Sequence, residues 1–183
     1  MDVGGTFIKS GIMSYDGVLQ DGSQQTVPID SDGTYEQICN SLTTSVRQGV
    51  ALCRYYGYSP AGVGICMPGP FNYITGVSAM VHKFAAIKDI PLKDTVAEAL
   101  EGLDIPVVFG HDVNTQLYGE LRGGNAVGYG NVCLVALGTG LGFSIAVDGK
   151  VLMTPTGSPL VSIWNLPYNG GILEDYASKR GFY

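Results

Sequence analysis

Asp2-Val3-Gly4-Gly5-Thr6, followed by Lys9, sets a carboxylate and a glycine pair at the end of a short strand-like start. Glycines there let the backbone approach an anion with no Cβ in the way, and successive turn amides can point at phosphate oxygens. A second glycine turn, Gly138-Thr139-Gly140-Leu141-Gly142, closes an apolar run over 132–137. Between the two, His111-Asp112-Val113-Asn114 follows the apolar run Val107-Val108-Phe109, which puts an aspartate where a buried strand meets solvent. Two glycine turns and one such carboxylate suit phosphoryl transfer, in which a protein holds phosphates and aims an attacking hydroxyl.

The remaining segments order themselves around these turns. Residues 7–13 and 17–25 flank Tyr15-Asp16-Gly17, and an Asp-Gly turn between such segments predicts a β-hairpin. Over 35–56, apolar residues from Tyr35 and Ile38 through Leu42, Val46 and Val50 to Cys53 and Tyr56 recur every three or four positions. That spacing predicts one face of a helix packed on a sheet. A buried strand over 62–66 stops at Met67-Pro68-Gly69-Pro70, where two prolines forbid further pairing. A loop to about residue 91, a helix over 92–100, a strand over 107–110 and a helix over 114–122 are expected next. The Gly-rich stretch 123–130 reads as a connection between lobes 1–122 and 123–183, the second of them incomplete. Strands over 132–137, 143–147 and 151–153 follow, the last two joined by Asp148-Gly149. Hairpins among alternating strands and helices predict an α/β chain with a mixed sheet and flanking helices. There is also a coarse echo: each glycine turn precedes a strand and an Asp-Gly hairpin, in 2–17 and again in 137–149. Two such lobes facing each other would bring both turns to one cleft.

Bulk composition narrows the chemistry. With 183 residues, 45% hydrophobic and only 14% charged, the chain can bury a real core. A net charge of −6 works against nonspecific binding to nucleic acid or anionic lipid, so neither is expected as a partner. Cys39, Cys53, Cys66 and Cys133 form no C-x-x-C pair and have no histidine cluster nearby, so a thiolate zinc site is not expected. Cys66 and Cys133 sit in apolar runs and read as small buried hydrophobes in a reducing compartment. No signal peptide opens the chain and no apolar run reaches membrane length, so a cytoplasmic protein is expected.

Individual residues leave alternatives open. Gly4, Gly5 and Thr6 offer amides and one hydroxyl to phosphates, Asp2 could orient a metal-bound water, and Lys9 could lie near the terminal phosphates. The same stretch also reads as an ordinary turn before a hairpin. Gly138-x-Gly140-x-Gly142 departs from the G-x-G-x-x-G dinucleotide fingerprint and precedes a strand, which argues against a Rossmann site. Asp112 could accept the proton of a sugar hydroxyl as a general base, or could serve as N-cap of a helix starting at Asn114. Of the two histidines, His111 could hydrogen-bond a ligand hydroxyl and His82 lies in a loop. For a histidine considered alone, a structural or solvent role is the commoner outcome.

Together, D-V-G-G-T at 2–6, M-P-G-P at 67–70, H-D-V-N at 111–114, A-L-G-T-G-L-G at 136–142, D-G-K at 148–150 and G-I-L-E at 171–174 resemble the ROK family. That family comprises bacterial sugar kinases, glucokinase-like enzymes among them, and sugar-responsive repressors. The resemblance implies the ribonuclease H-like fold of actin and hexokinase-type ATPases, in two lobes. It implies ATP and Mg2+ as cofactors, with Gly4, Gly5 and Thr6 and then Gly138, Thr139 and Gly140 as the two phosphate loops, and Asp112 as catalytic base. A sugar is the implied substrate, with Gly69, His111 and Glu174 as its contacts. His111 stands where the family usually has asparagine. A homodimer is implied as well.

Departures from the family pattern are concentrated after Lys150. The family there shows G-E-x-G-H and then C-x-C-G-x-x-G-C, which supply two sugar ligands and a structural zinc. This chain reads Thr156-Gly157-Ser158-Pro159 and, further on, Trp164 to Tyr168, with neither cysteine nor histidine. No zinc is therefore expected, and Trp164 and Tyr168 are expected to pack where the metal loop would sit. The family runs on for roughly another hundred residues, a shortfall that typical domain sizes also suggest. Two alternatives to a kinase remain: a sugar-responsive transcriptional regulator, and a sugar-binding protein without turnover. A regulator would carry a helix-turn-helix ahead of Asp2, where this chain has only Met1.

Overall fold

The computed structural model describes residues 1–182, which form two compact units dividing between Gly110 and His111. In the first unit the chain runs β1 (Asp2–Val3), β2 (Phe7–Ser10), β3 (Gln25–Pro28), α1 (Tyr35–Tyr55), β4 (Val63–Met67), β5 (Phe71–Asn72), β6 (Val77–Ser78), α2 (Leu92–Ala99) and β7 (Val107–His111). Five of the strands make one sheet in the order β3-β2-β1-β4-β7. β1 pairs antiparallel with β2 and parallel with β4, so the sheet is mixed, as the interleaved hairpins predict. Alternation sends Val3, Ile8, Ile65 and Met67 into the core while Asp2 and Lys9 stay exposed.

Helix α1 starts where a capping box fixes it: the Gln37 amide donates to Thr34 Oγ1 and the Thr34 amide to Gln37 Oε1. Its Ile38, Leu42, Val46 and Val50 are buried, as their spacing predicts. The expected Asp-Gly hairpin is reduced. Gly17 does turn, with φ of 88°, but only Met13 and Leu19 bridge across it, and β2 pairs instead with β3. The polar, Gly-bearing loop between them has too few apolar residues to extend a ladder. The loop expected to about residue 91 contains a short hairpin, β5 with β6, and a 3₁₀ turn over Ala85–Ile87.

The second unit contains α3 (Asp112–Gly123), β8 (Val132–Leu137), β9 (Leu141–Val147), β10 (Lys150–Val151), β11 (Pro167–Tyr168), β12 (Gly171–Ile172) and α4 (Leu173–Tyr176). β8, β9 and β10 form an antiparallel sheet whose inner face packs on α3 through Leu117, Leu121, Val132, Leu134 and Ala146. The Gly-rich stretch is not a linker between units. The amides of Gly124 and Ala126 donate to the Glu120 carbonyl and that of Asn125 to its Oε2, so the segment closes the end of α3 within the second unit. Asp148 and Gly149, with φ of 50° and 73°, make the expected tight turn between β9 and β10.

One expectation from side-chain pattern is corrected. Cys133 is exposed rather than buried, because β8 alternates and residue 133 falls on the sheet face away from α3. Trp164 and Tyr168 remain about half exposed, at 45% and 53%. In that region β11 and β12 form a hairpin, and Tyr168 meets Tyr176 edge to face with centroids 5.1 Å apart.

Candidate functional site

The first glycine turn is the tip of the β1–β2 hairpin. Gly4 donates to the Phe7 carbonyl at 2.9 Å, while the carbonyls of Gly5 and Thr6 accept from Ser31 and Ile29. The amides of Gly5 and Thr6 have no protein acceptor among the described residues. Asp2 and Lys9 stand opposite each other in the ladder and on one face. Gly69 is exposed just past the end of β4, where two prolines end pairing.

The second glycine turn is the tip of the β8–β9 hairpin, Leu137 pairing with Leu141 and Gly138 donating to the Gly140 carbonyl at 3.1 Å. Its three glycines have different surroundings. Gly138 is open. A Cβ on Gly140 would come within 2.7 Å of Glu174 Oε2, and one on Gly142 would run into Val113 Cγ1. Glu174 Oε2 also accepts from the Leu141 amide at 2.9 Å, and the Lys179 amide donates to the Gly138 carbonyl. The chain around α4 thus braces the second turn through a carboxylate whose neighbour sequence reasoning did not anticipate.

Gly142 faces a stiff β-branched residue whose helix cannot retreat, so Gly142→Ala is expected to overpack the second unit. The expected cost is about 1–3 kcal/mol, read as a lower urea midpoint with an unchanged m-value.

Asp112 begins α3 rather than capping it. His111 holds the N-cap position, without a side-chain capping bond, and the Asp112 carboxylate accepts from its neighbours: from the Val113 amide and from His111 Nδ1, both at 2.7 Å. Burial works to raise the Asp112 pKa, but the His111 imidazole, by hydrogen bond and charge, and the Val113 amide outweigh it and hold the carboxyl below its ordinary 3.8. A depressed carboxyl stabilises the fold while ionised; that contribution is present above the ordinary value and is lost as pH falls through the lower, folded one. With the side chain 56% exposed, solvent screens the effect on stability. The chemical consequence is a proton acceptor fully ionised at neutral pH. His82 is exposed.

A residue that spacing did not single out lies two positions on. Asn114 is 2% exposed; its Nδ2 donates to the Gly157 carbonyl at 3.2 Å and its Oδ1 accepts from Ser144 Oγ at 2.7 Å. Burial of an asparagine two positions after a candidate base is the signal that could have pointed to it, and burial is not visible in a short motif. Among the described residues, no group of three or more His, Cys, Asp or Glu side chains is gathered as metal ligands would be. No helix of the described residues is long and apolar enough to cross a membrane.

A family model described as "ROK family" matches residues 1–158. The chain belongs to the ROK family. This ROK chain is 33% identical over 153 residues to a glucokinase of Streptomyces coelicolor, covering 82% of the chain and 44% of that protein. It is 27% identical to a glucokinase of Halalkalibacterium halodurans, across 99% of the chain and 56% of that protein. It therefore spans about half the length of these relatives. A ROK family glucokinase from Streptomyces griseus, solved in complex with glucose and AMPPNP, superposes with a TM-score of 0.77 at 26% identity, over 99% of the chain and 57% of that structure. The fold is accordingly the ribonuclease H-like fold of the actin and hexokinase-type ATPases.

Proposed function

We propose that this chain is part of an ATP-dependent sugar kinase that transfers the γ-phosphate of ATP to a hydroxyl of a hexose or amino sugar, with Asp112 as general base. The observation that carries the reading is the state of Asp112: exposed, ionised, at the end of a strand, on a helix whose Val113 seats on Gly142 just past the second glycine turn. Such a carboxylate can take the proton of a sugar hydroxyl as that oxygen attacks phosphorus. His111 donates to Asp112 through Nδ1, which orients the carboxylate, and His111 is itself a proposed sugar contact. Gly69 and Glu174 are the further proposed sugar contacts.

The donor chemistry of the turns fits a nucleotide. Thr139 and Gly140, like Gly5 and Thr6, carry amides that no described protein group accepts from, and such amides suit phosphate oxygens. Mg-ATP, when bound, supplies the phosphoryl group and neutralises its charge. In this reading Gly4 to Thr6 and Gly138 to Gly140 would hold phosphates, Asp2 would serve the magnesium ion's hydration shell, and Lys9 would offset terminal charge. Glu174 brings negative charge to the second turn through its bond with the Leu141 amide.

A coupled ADP-release assay over a panel of hexoses and amino sugars, run beside calorimetric sugar binding, tests the proposal. Turnover with at least one sugar is expected. Sugar binding without ADP release would replace the kinase with a non-catalytic sugar-binding protein, and neither binding nor turnover would remove sugars altogether.

A further inference from the structure

Among the described residues, the partners of the Asp112 carboxylate are its neighbours in sequence, His111 and Val113. Where the base stands is set by β7, which ends at His111, and by how the first turn of α3 is fastened to the rest of the second unit. Contacts from Val113 and Asn114 contribute to this fastening. Val113 sits on the bare backbone of Gly142, and Asn114 reaches both Ser144 on β9 and the carbonyl of Gly157.

The Asn114 contact is specific in a way the Val113 contact is not. Asn114 and Ser144 are 2% and 1% exposed, and Gly157 is buried with a φ of 83°. A buried amide is costly unless its donors and acceptors are both met, and an apolar side chain would fill the same space without that cost. Asn114 uses one group of each kind, on partners 30 and 43 residues away in the chain. The amide does not cap its own helix, since α3 begins at Asp112. Its bonds therefore fix the approach of α3 to β9 and to the Thr154–Ser158 turn, which is itself closed by the Thr154 amide on the Ser158 carbonyl at 2.9 Å.

We propose that Asn114 is a positioning residue: one buried amide locks the start of α3, and with it the Asp112 carboxylate, to the strand that leaves the second glycine turn and to the Gly157 turn. This inference rests on the kinase reading for its catalytic consequence but not for its geometry. Displacing a base by about 1 Å can cost on the order of 100-fold in rate. Asn114→Ala is thus expected to lower kcat by about 100-fold while KM for ATP stays within about twofold, the pattern of a loss felt in the transition state alone. The carboxyl carbon of Asp112, followed by 13C NMR, is expected to titrate closer to an ordinary aspartate in the same variant. Ser144→Ala deletes one hydroxyl and should move both readouts the same way by less, about tenfold in kcat.

If Asn114→Ala does not fold, Ser144→Ala carries the test through the same two measurements. Absence of turnover in the unaltered protein would count against the kinase reading only, and the Asp112 titration would then decide the positioning role by itself. A folded Asn114→Ala protein with an unmoved Asp112 titration and, where the unaltered protein turns over, a kcat within about threefold of it would overturn the proposal.

Discussion

Replacing Asp112 with asparagine is expected to slow phosphoryl transfer by about 10²–10⁴-fold, the range general-base catalysis contributes, and to leave sugar affinity and thermal stability nearly unchanged. The reasoning is local. Asparagine keeps the shape of aspartate, and its Oδ1 can still accept from the Val113 amide and from His111 Nδ1, so the first turn of α3 keeps its geometry. What disappears is the negative charge and the lone pair that would take the hydroxyl proton. Because the side chain is 56% exposed, no cavity opens and no buried charge is stranded. The pH–rate profile of the unaltered enzyme provides a second check: its acid limb should lie below the ordinary carboxylate range, because His111 and Val113 hold the Asp112 carboxyl down. Unimpaired turnover in Asp112→Asn would remove this residue from catalysis and leave the glycine turns without a base.

The elements that sequence made legible are those whose cause is local. The α1 helix is written in the spacing of Ile38, Leu42, Val46 and Val50, and the structure places its ends at Tyr35 and Tyr55 and adds the Thr34–Gln37 capping box at its start. The β8–β9 hairpin is equally local, since one apolar run, the Gly138-Thr139-Gly140 turn and a second apolar run follow one another directly. Where long-range packing decides, sequence was silent. Gly142 reads as one more turn glycine, but it lies within β9 and is bare because Val113, 29 positions earlier, packs on it. Glu174 reads as a sugar contact by resemblance, and its bond to the Leu141 amide comes from the way the α4 segment folds back on the turn. Asn114 has no role that its motif alone reveals, because only the fold brings Ser144 and Gly157 to it. The Gly-rich 123–130 stretch misled for the same reason: Glu120 collects its amides, so glycines that look like a flexible linker form a helix end.

Phe84 is the least legible residue and carries the largest expected effect on stability. It lies in the loop Met80-Val81-His82-Lys83-Phe84, without periodicity to mark it, yet it is fully buried with 0% exposure. Its φ of 53° lies in the left-handed region, where an aromatic residue is a rarity. The backbone is held there by bonds on both sides: the Phe84 amide donates to the Ser31 carbonyl at 2.7 Å, and its own carbonyl accepts from Ile87. Burial of the ring therefore outweighs a conformational cost of roughly 1–2 kcal/mol. Phe84→Ala forfeits the ring and keeps the strained backbone, so a loss of about 3–5 kcal/mol is expected from urea or thermal unfolding. Phe84→Gly forfeits the ring as well but relieves the strain, so glycine should be the more stable of the two by up to about 1 kcal/mol, the reverse of their usual order. Alanine matching or exceeding glycine would show that the left-handed conformation at residue 84 is not what the folded protein adopts, and a loss under about 1 kcal/mol in both would show that the ring is not a core residue.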